Sequence, residues 1–421
     1  SLNVGTGANN IVQLDGSGNL PAVSGANLTG LSSSGNLFTA PADGTVTNGD
    51  MLILRSDGDV AKVAVESSVF PFVTSNTAVD VEVGNEYTTL EKTKIAVNKA
   101  DPTKFCIIGK TDDDRGYISS GTVSNGAITM TNSAIIHGDF YEGDVCHIEG
   151  DYWCVGFRSG GESGRMRTWN SSGSSGGTLG TIYTFTTNST YRIAVDSPKS
   201  GGTDDHLIAL IWMDNNDSNQ GHFLVALHNG SGSLARTSSS HHYEWSGSSA
   251  INNQNDLFFE HVNGQTQGII AYFDSPNTVN KVMPFRYNSS TPTFGTAVTT
   301  GVRASDTGVG FRNCSIAYNE NQSGVFVVAI VAHSTNYLHV IPFTFSEGSS
   351  GNLPSSITKG TAIVGNENLD ETTCDVFLSG NTTNVGGTIF YNGYSNKVQV
   401  QPFTISSNVL TAGTTQDIVT G

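Results

Sequence analysis

A chain of 421 residues is longer than one compact core usually needs, so it folds either as several domains or as one large repeat architecture. Its 49 glycines and a charged fraction of only 14% suit short strands joined by tight polar turns and argue against long charged helices. Apolar runs such as Phe326 to Val331 argue against a solvated, disordered polymer. A net charge of -17, with no Lys/Arg cluster to offset it, disfavours nucleic acid and anionic membrane as partners, and no apolar stretch is long enough to span a bilayer.

The first element in the chain is the segment 9–31. It reads Asn9-Asn10-Ile11-Val12-Gln13-Leu14-Asp15-Gly16, a strand running into an Asp-Gly turn, then Gly18-Asn19-Leu20-Pro21-Ala22-Val23, a second strand, and exits through Asn27-Leu28-Thr29-Gly30-Leu31. So short a piece cannot enclose a core, so Ile11, Val12, Leu14, Leu20, Val23, Leu28 and Leu31 need a partner surface.

This segment resembles a short module found repeatedly in bacteriophage tail fibres and related virion appendages, where it precedes a variable distal domain. The resemblance implies that residues 1–35 are an attachment or oligomerisation segment, covered by identical chains in a homotrimer or by other virion proteins. An arm folded over the rest of the same chain is the alternative. Residues 36–70 resemble a second small phage module, a β-hairpin in which Ser56-Asp57-Gly58 turns between Met51-Leu52-Ile53-Leu54 and Val60-Ala61-Lys62-Val63.

The remaining residues, 71–421, read as strands. Thr77 to Val83 alternates apolar and polar residues and resembles an outer, ring-closing strand, in competition with Thr415 to Val419 at the other end. Between them lie six units of four strands. The first runs Lys94 to Asn98, Phe105 to Lys110, Tyr117 to Val123 and Ser133 to His137. The second has Val145 to Ile148, Trp153 to Arg158, Met166 to Trp169 and Thr181 to Phe185, and the third Tyr191 to Val195, His206 to Trp212, His222 to Leu227 and His242 to Trp245.

The last three units share a signature, Val282-Met283-Pro284-Phe285, Val340-Ile341-Pro342-Phe343 and Val400-Gln401-Pro402-Phe403, at intervals of 58 and 60 residues. The proline cannot donate to a ladder, so it belongs at a bulge or on a strand side that needs no donor, and the phenylalanine should plug between units. Four-stranded repeats without helices predict an all-β fold, a six-bladed β-propeller, because each sheet buries its faces only against its neighbours.

Chemistry is hard to find. Asp112-Asp113-Asp114 with Arg115, Asp204-Asp205, Asp214 with Asp217, and Glu320 all fall in turns, where acidic residues are usually solvated or bonded to nearby backbone. Asp214 to Gly221 has oxygen ligands but lacks the central glycine and closing glutamate of a calcium hand. Tyr243 and Trp245, beside His241 and His242, would stack on a sugar if exposed, although packing between blades is the expected role. The five cysteines have no metal-ligand spacing and read as buried free thiols; Cys146 and Cys154 would face each other across a hairpin.

The expectation is therefore a non-enzymatic virion component without cofactor or metal, a tail fibre or receptor-binding appendage that docks by its N-terminus and shows its propeller to a host glycan or protein. Assembly in the bacterial cytoplasm fits Ser1 to Gly5, which has neither the basic nor the apolar part of a secretory leader. A capsid decoration or head fibre and a propeller-type carbohydrate-active enzyme are the alternatives.

Overall fold

The computed structural model describes three short N-terminal strands and residues 90–420, with breaks in connecting loops, the longest at 199–205, 246–254, 304–312, 366–373 and 379–384. The chain divides into two compact units, Ser1–Ser67 and Ser68–Gly421. In the first, Leu52–Leu54 pairs antiparallel with Val60–Lys62 in the hairpin that the Ser-Asp-Gly turn calls for, and Ala42–Asp43 adds to Val60–Lys62 in parallel. The leader residues Ile11, Val12, Leu14, Leu20, Val23, Leu28 and Leu31, and the strand pattern Thr77 to Val83, lie outside the described residues.

The second unit is a six-bladed β-propeller. The innermost strands of blades 1 to 6 are Leu90–Val97, Phe140–Glu149, Thr190–Asp196, Asp256–Val262, Asn313–Tyr318 and Cys374–Leu378. Each blade runs outward in chain order, with antiparallel neighbours throughout. Among the described residues the helical content is one 3-10 turn, Asn215–Asp217.

Among the described residues blade 1 has four strands and blades 2 to 6 have five, because in those five the outer strand is broken into two pieces that both pair with the third strand. The proline signature sits at this break. In blade 4 the third strand, Val279–Asn288, pairs with Thr291–Phe294 from Phe285 onward and with Val298–Arg303 up to Val282. Pro284 lies between the two. Its carbonyl accepts from Gly295 N–H at 2.8 Å, on the outer side, so the N–H it lacks would have pointed at the break.

Pro342 with Gly360 (2.9 Å) and Pro402 with Gly413 (2.7 Å) repeat the arrangement. Blade 2 breaks at the same place with Thr168 accepting from Gly180. Proline therefore exploits the break rather than causing it. The last strand, Gln416–Thr420, is the second outer piece of blade 6 and pairs with Lys397–Ser406.

Apolar clusters fill the seams between successive blades, from blades 1 and 2 through to blades 5 and 6. The signature phenylalanines plug them: Phe285, Phe343 and Phe403 are all buried, and Phe285 meets Phe223 of the preceding blade edge to face at 5.0 Å. Space for these rings is made on the second strand. A Cβ at Gly268 would lie 2.6 Å from the Phe285 ring, and one at Gly386 would lie 2.6 Å from Phe403.

The seam between blades 6 and 1 is different. Ala96 of blade 1 turns toward blade 2, so by alternation Ile95 and Val97 face the other way, and they are 54% and 50% exposed. Their counterparts on the same face of blade 4, Leu257 and Phe259, are 4% and 0% exposed. Ile389 on the opposing side of blade 6 is also exposed.

Candidate functional site

At the axis, carboxylates from several blades converge, and three of them accept a backbone N–H from the next blade. Asp144 of blade 2 accepts from Val195 N–H at 2.9 Å, Asp196 of blade 3 from Phe259 N–H at 2.8 Å, and Asp256 of blade 4 from Ile316 N–H at 2.9 Å. Ser315 of blade 5 donates to Asp375 of blade 6 at 2.5 Å. The cations come from blade 1. Lys99 pairs with Asp196 at 3.0 Å and Glu260 at 2.8 Å and also donates to Ser197 O. Lys94 sits in the field of Asp144, Asp375 and Asp256.

These aspartates keep some solvent contact, yet surrounding protein strips enough hydration to dominate their titration. Desolvation pushes Asp256 up to about 7, against the opposing pull of Lys94. Asp144 and Asp196 are raised for the same reason. Lys94 also loses hydration, but its carboxylate neighbours outweigh that loss and raise it. Backbone N–H groups and Lys99 thus tie the carboxylates of successive blades to one another.

A polar cleft of about 240 Å³ opens between blades 1 and 2, on the face that carries the turn between innermost and second strands. Phe105 and Trp153 belong to its lining but are themselves buried, at 7% and 1% exposure. Trp153 Nε1–H donates to Ser171 Oγ at 3.1 Å, and Asn132 Nδ2–H to Ser171 O at 2.7 Å. Ser120 and Thr131 share a hydroxyl contact at 2.9 Å, and Thr122 adds another hydroxyl to the lining. At the rim Lys104 Nζ meets Asp151 Oδ1 at 2.8 Å, both side chains about one-third exposed (39% and 34%). The bond to Asp151 raises the lysine above its ordinary value.

A third cluster joins blades 2 and 3. His206 Nδ1 and His228 Nδ1 lie 2.8 and 3.0 Å from Glu149 Oε1, a spacing compatible with a metal triad. The hydrogen bonding assigns it otherwise. Gly232 N–H donates to His228 Nε2 at 3.1 Å, so that nitrogen holds a lone pair and Nδ1 carries the proton given to Glu149. Metal at Nδ1 would move the proton to Nε2, against the Gly232 N–H. Burial also holds His228 below the ordinary histidine range.

The residues singled out in the sequence fare differently. Trp245 is 6% exposed, donates its Nε1–H to His222 O at 3.0 Å and meets Tyr272 of blade 4 edge to face at 4.7 Å. Tyr243 is half-buried against the same cluster, so both serve the seam between blades 3 and 4. Asp214 caps the 3-10 turn through Asn216 N–H and accepts from Asn188 at 2.8 Å, which commits the lead acid of the calcium-like loop. In the Asp112 to Arg115 turn, Asp113 pairs with Arg115 at 2.9 Å and Asp114 with Lys110 at 2.5 Å. Asp204, Asp205, Glu320 and His241 lie outside the described residues.

All five cysteines are buried and free, with Cys146 and Cys154 directly opposite across their hairpin. The cleft and the axis were not legible beforehand, since Lys104 and Asp151 stand 47 positions apart and Lys99 and Glu260 stand 161 apart.

No family model and no curated protein matches the chain. Solved structures do. A putative 6-phosphogluconolactonase from Bacteroides fragilis superposes with a TM-score of 0.53 at 11% identity, over 78% of this chain and 84% of that one. The periplasmic gluconolactonase of Pseudomonas aeruginosa gives 0.52 at 11% identity, over 78% and 86%. The Aleuria aurantia lectin, in complex with Fucα1-6GlcNAc, gives 0.47 at 12% identity, over 78% and 96%. At such identities the likeness to the two lactonases is one of fold, and it agrees with the propeller built up from the repeats.

Proposed function

We propose that this chain is a non-enzymatic structural component of a phage virion, a tail fibre or receptor-binding appendage that docks through its N-terminal segment and presents the propeller to the host surface. The virion half of the proposal rests on residues 9–31, whose resemblance to phage appendage modules is dense and whose apolar side chains need a companion surface. Identical chains in a trimer, or other virion proteins, are the proposed companions. Assembly takes place in the host cytoplasm and the working location is the particle.

The observation that carries the non-catalytic half is the axis. Glycoside hydrolysis needs two carboxyl groups free to meet the substrate. Here Asp144, Asp196 and Asp256 each hold a backbone N–H of the following blade, and Lys99 is tied to Asp196 and Glu260. Such groups clamp blades together, with at least one carboxylate oxygen of each committed to the neighbouring blade.

Immunogold labelling of intact particles tests the assignment. Gold at the tail, together with blockage of host adsorption by the purified chain, is the expected result. Label confined to the capsid would replace the appendage with a head decoration, and absence from particles would remove the virion reading altogether. Turnover of host polysaccharide by the purified chain would overturn the non-enzymatic half.

A further inference from the structure

We propose that the cleft between blades 1 and 2 is a binding subsite for one neutral, hydroxyl-rich ring, a single pyranose unit of a surface glycan. The inference rests on the receptor-binding reading above and gives it a place on the molecule.

Three observations support it. The first is size: at about 240 Å³ the cleft falls just below the ~300–1,000 Å³ usual for drug-sized ligands, which suits one ring rather than an extended oligosaccharide. The second is charge. Lys104 and Asp151 neutralise each other at the rim of a chain whose net charge is -17, so an anion finds neither an unpaired cation nor a favourable field.

The third is donor and acceptor supply. A sugar hydroxyl both gives and takes hydrogen bonds, and the rim offers each side of that exchange: Asp151 bonds Lys104 through Oδ1, leaving Oδ2 to accept, and the ammonium has further N–H groups to donate. Thr122, Ser120 and Thr131 bring hydroxyls to the walls. A site this small binds weakly alone, and several copies on one particle would supply avidity.

The test uses the full chain and a panel of methyl α- and β-glycosides of glucose, galactose, mannose, rhamnose and N-acetylglucosamine. Methyl glucuronide and inorganic phosphate serve as anionic controls. Binding is read by saturation-transfer NMR and tryptophan fluorescence. At least one neutral glycoside should bind with a millimolar Kd. Asp151→Asn should weaken it about tenfold and Thr122→Val about threefold, with melting temperatures unchanged.

No binding by any neutral glycoside at tens of millimolar, equal affinity in both variants, or preference for an anionic control would each overturn the subsite. Thr122→Val keeps the question answerable if Asp151→Asn unfolds the blade. The two proposals fail separately: a chain that adsorbs to host cells equally well with and without Asp151→Asn keeps the appendage and loses this cleft. A chain that binds the glycoside but is absent from particles does the reverse.

Discussion

Lys94 is one cation set among Asp144, Asp375 and Asp256, so the axis carries more negative than positive charge. This imbalance explains why desolvation can lift Asp256 to about 7 although a lysine stands close by. The sign of the effect on stability follows. Between the ordinary value of 3.8 and about 7 the folded chain holds a proton on Asp256 that the unfolded chain has released, so this group's contribution is complete below 3.8 and declines as pH rises through that window. Asp256→Asn keeps an acceptor for Ile316 N–H and removes the excess charge. Its urea midpoint should match wild type near pH 3, below both values, exceed it modestly near pH 5 and exceed it most near pH 8. Lys94→Met removes the cation instead. It should lose about 2–3 kcal/mol near pH 8, less than the ~3–5 typical of a fully buried pair because the axis keeps some solvent, and lose less near pH 5 where Asp256 is protonated. A Lys94→Met variant equally weakened at both pH values would mean that the side chain acts by packing alone.

At the scale of strands, Pro284, Pro342 and Pro402 stand where the outer strand is interrupted, so none deprives the sheet of a donor it needed. Pro342→Ala should therefore cost under about 1 kcal/mol in urea unfolding, mainly by loosening the unfolded chain. The glycines opposite are less tolerant. Gly268→Ala puts a Cβ 2.0 Å from Phe258 O and 2.6 Å from the Phe285 ring, both fixed in the blade, and should cost about 1–3 kcal/mol or more. The contrast separates what was legible in the sequence from what was not. Strand alternation and the 58- and 60-residue recurrence of Val-x-Pro-Phe are local signals, and they located the strands of blades 4 to 6 and the burial of Phe285, Phe343 and Phe403. The split of each outer strand leaves no such mark, since Thr168 occupies in blade 2 the position that proline holds in blades 4 to 6. Pairings such as Lys104 with Asp151 depend on which blades become neighbours, which no window of residues encodes.

Over the whole molecule, a propeller behaves as a closed array in which each sheet is stabilised by two neighbours, so equivalent positions should contribute equally unless one seam is built differently. The seam between blades 6 and 1 is such a case. Phe259 and Val97 occupy matching places on innermost strands, one fully buried in the cluster between blades 3 and 4, the other 50% exposed. Burial is what converts an apolar side chain into stability, at roughly 25 cal/mol per Å² removed from water, and a charge forced into a sealed seam has no partner there. Phe259→Asp should therefore leave no cooperative unfolding transition, whereas Val97→Asp and Ile95→Asp should each shift the urea midpoint by the equivalent of about 0.5 kcal/mol or less. Circular dichroism across a urea series measures all three on the full chain. If Val97→Asp unfolded the protein as completely as Phe259→Asp, that face would be as thoroughly covered in solution as the other five, and the ring would have six equivalent seams.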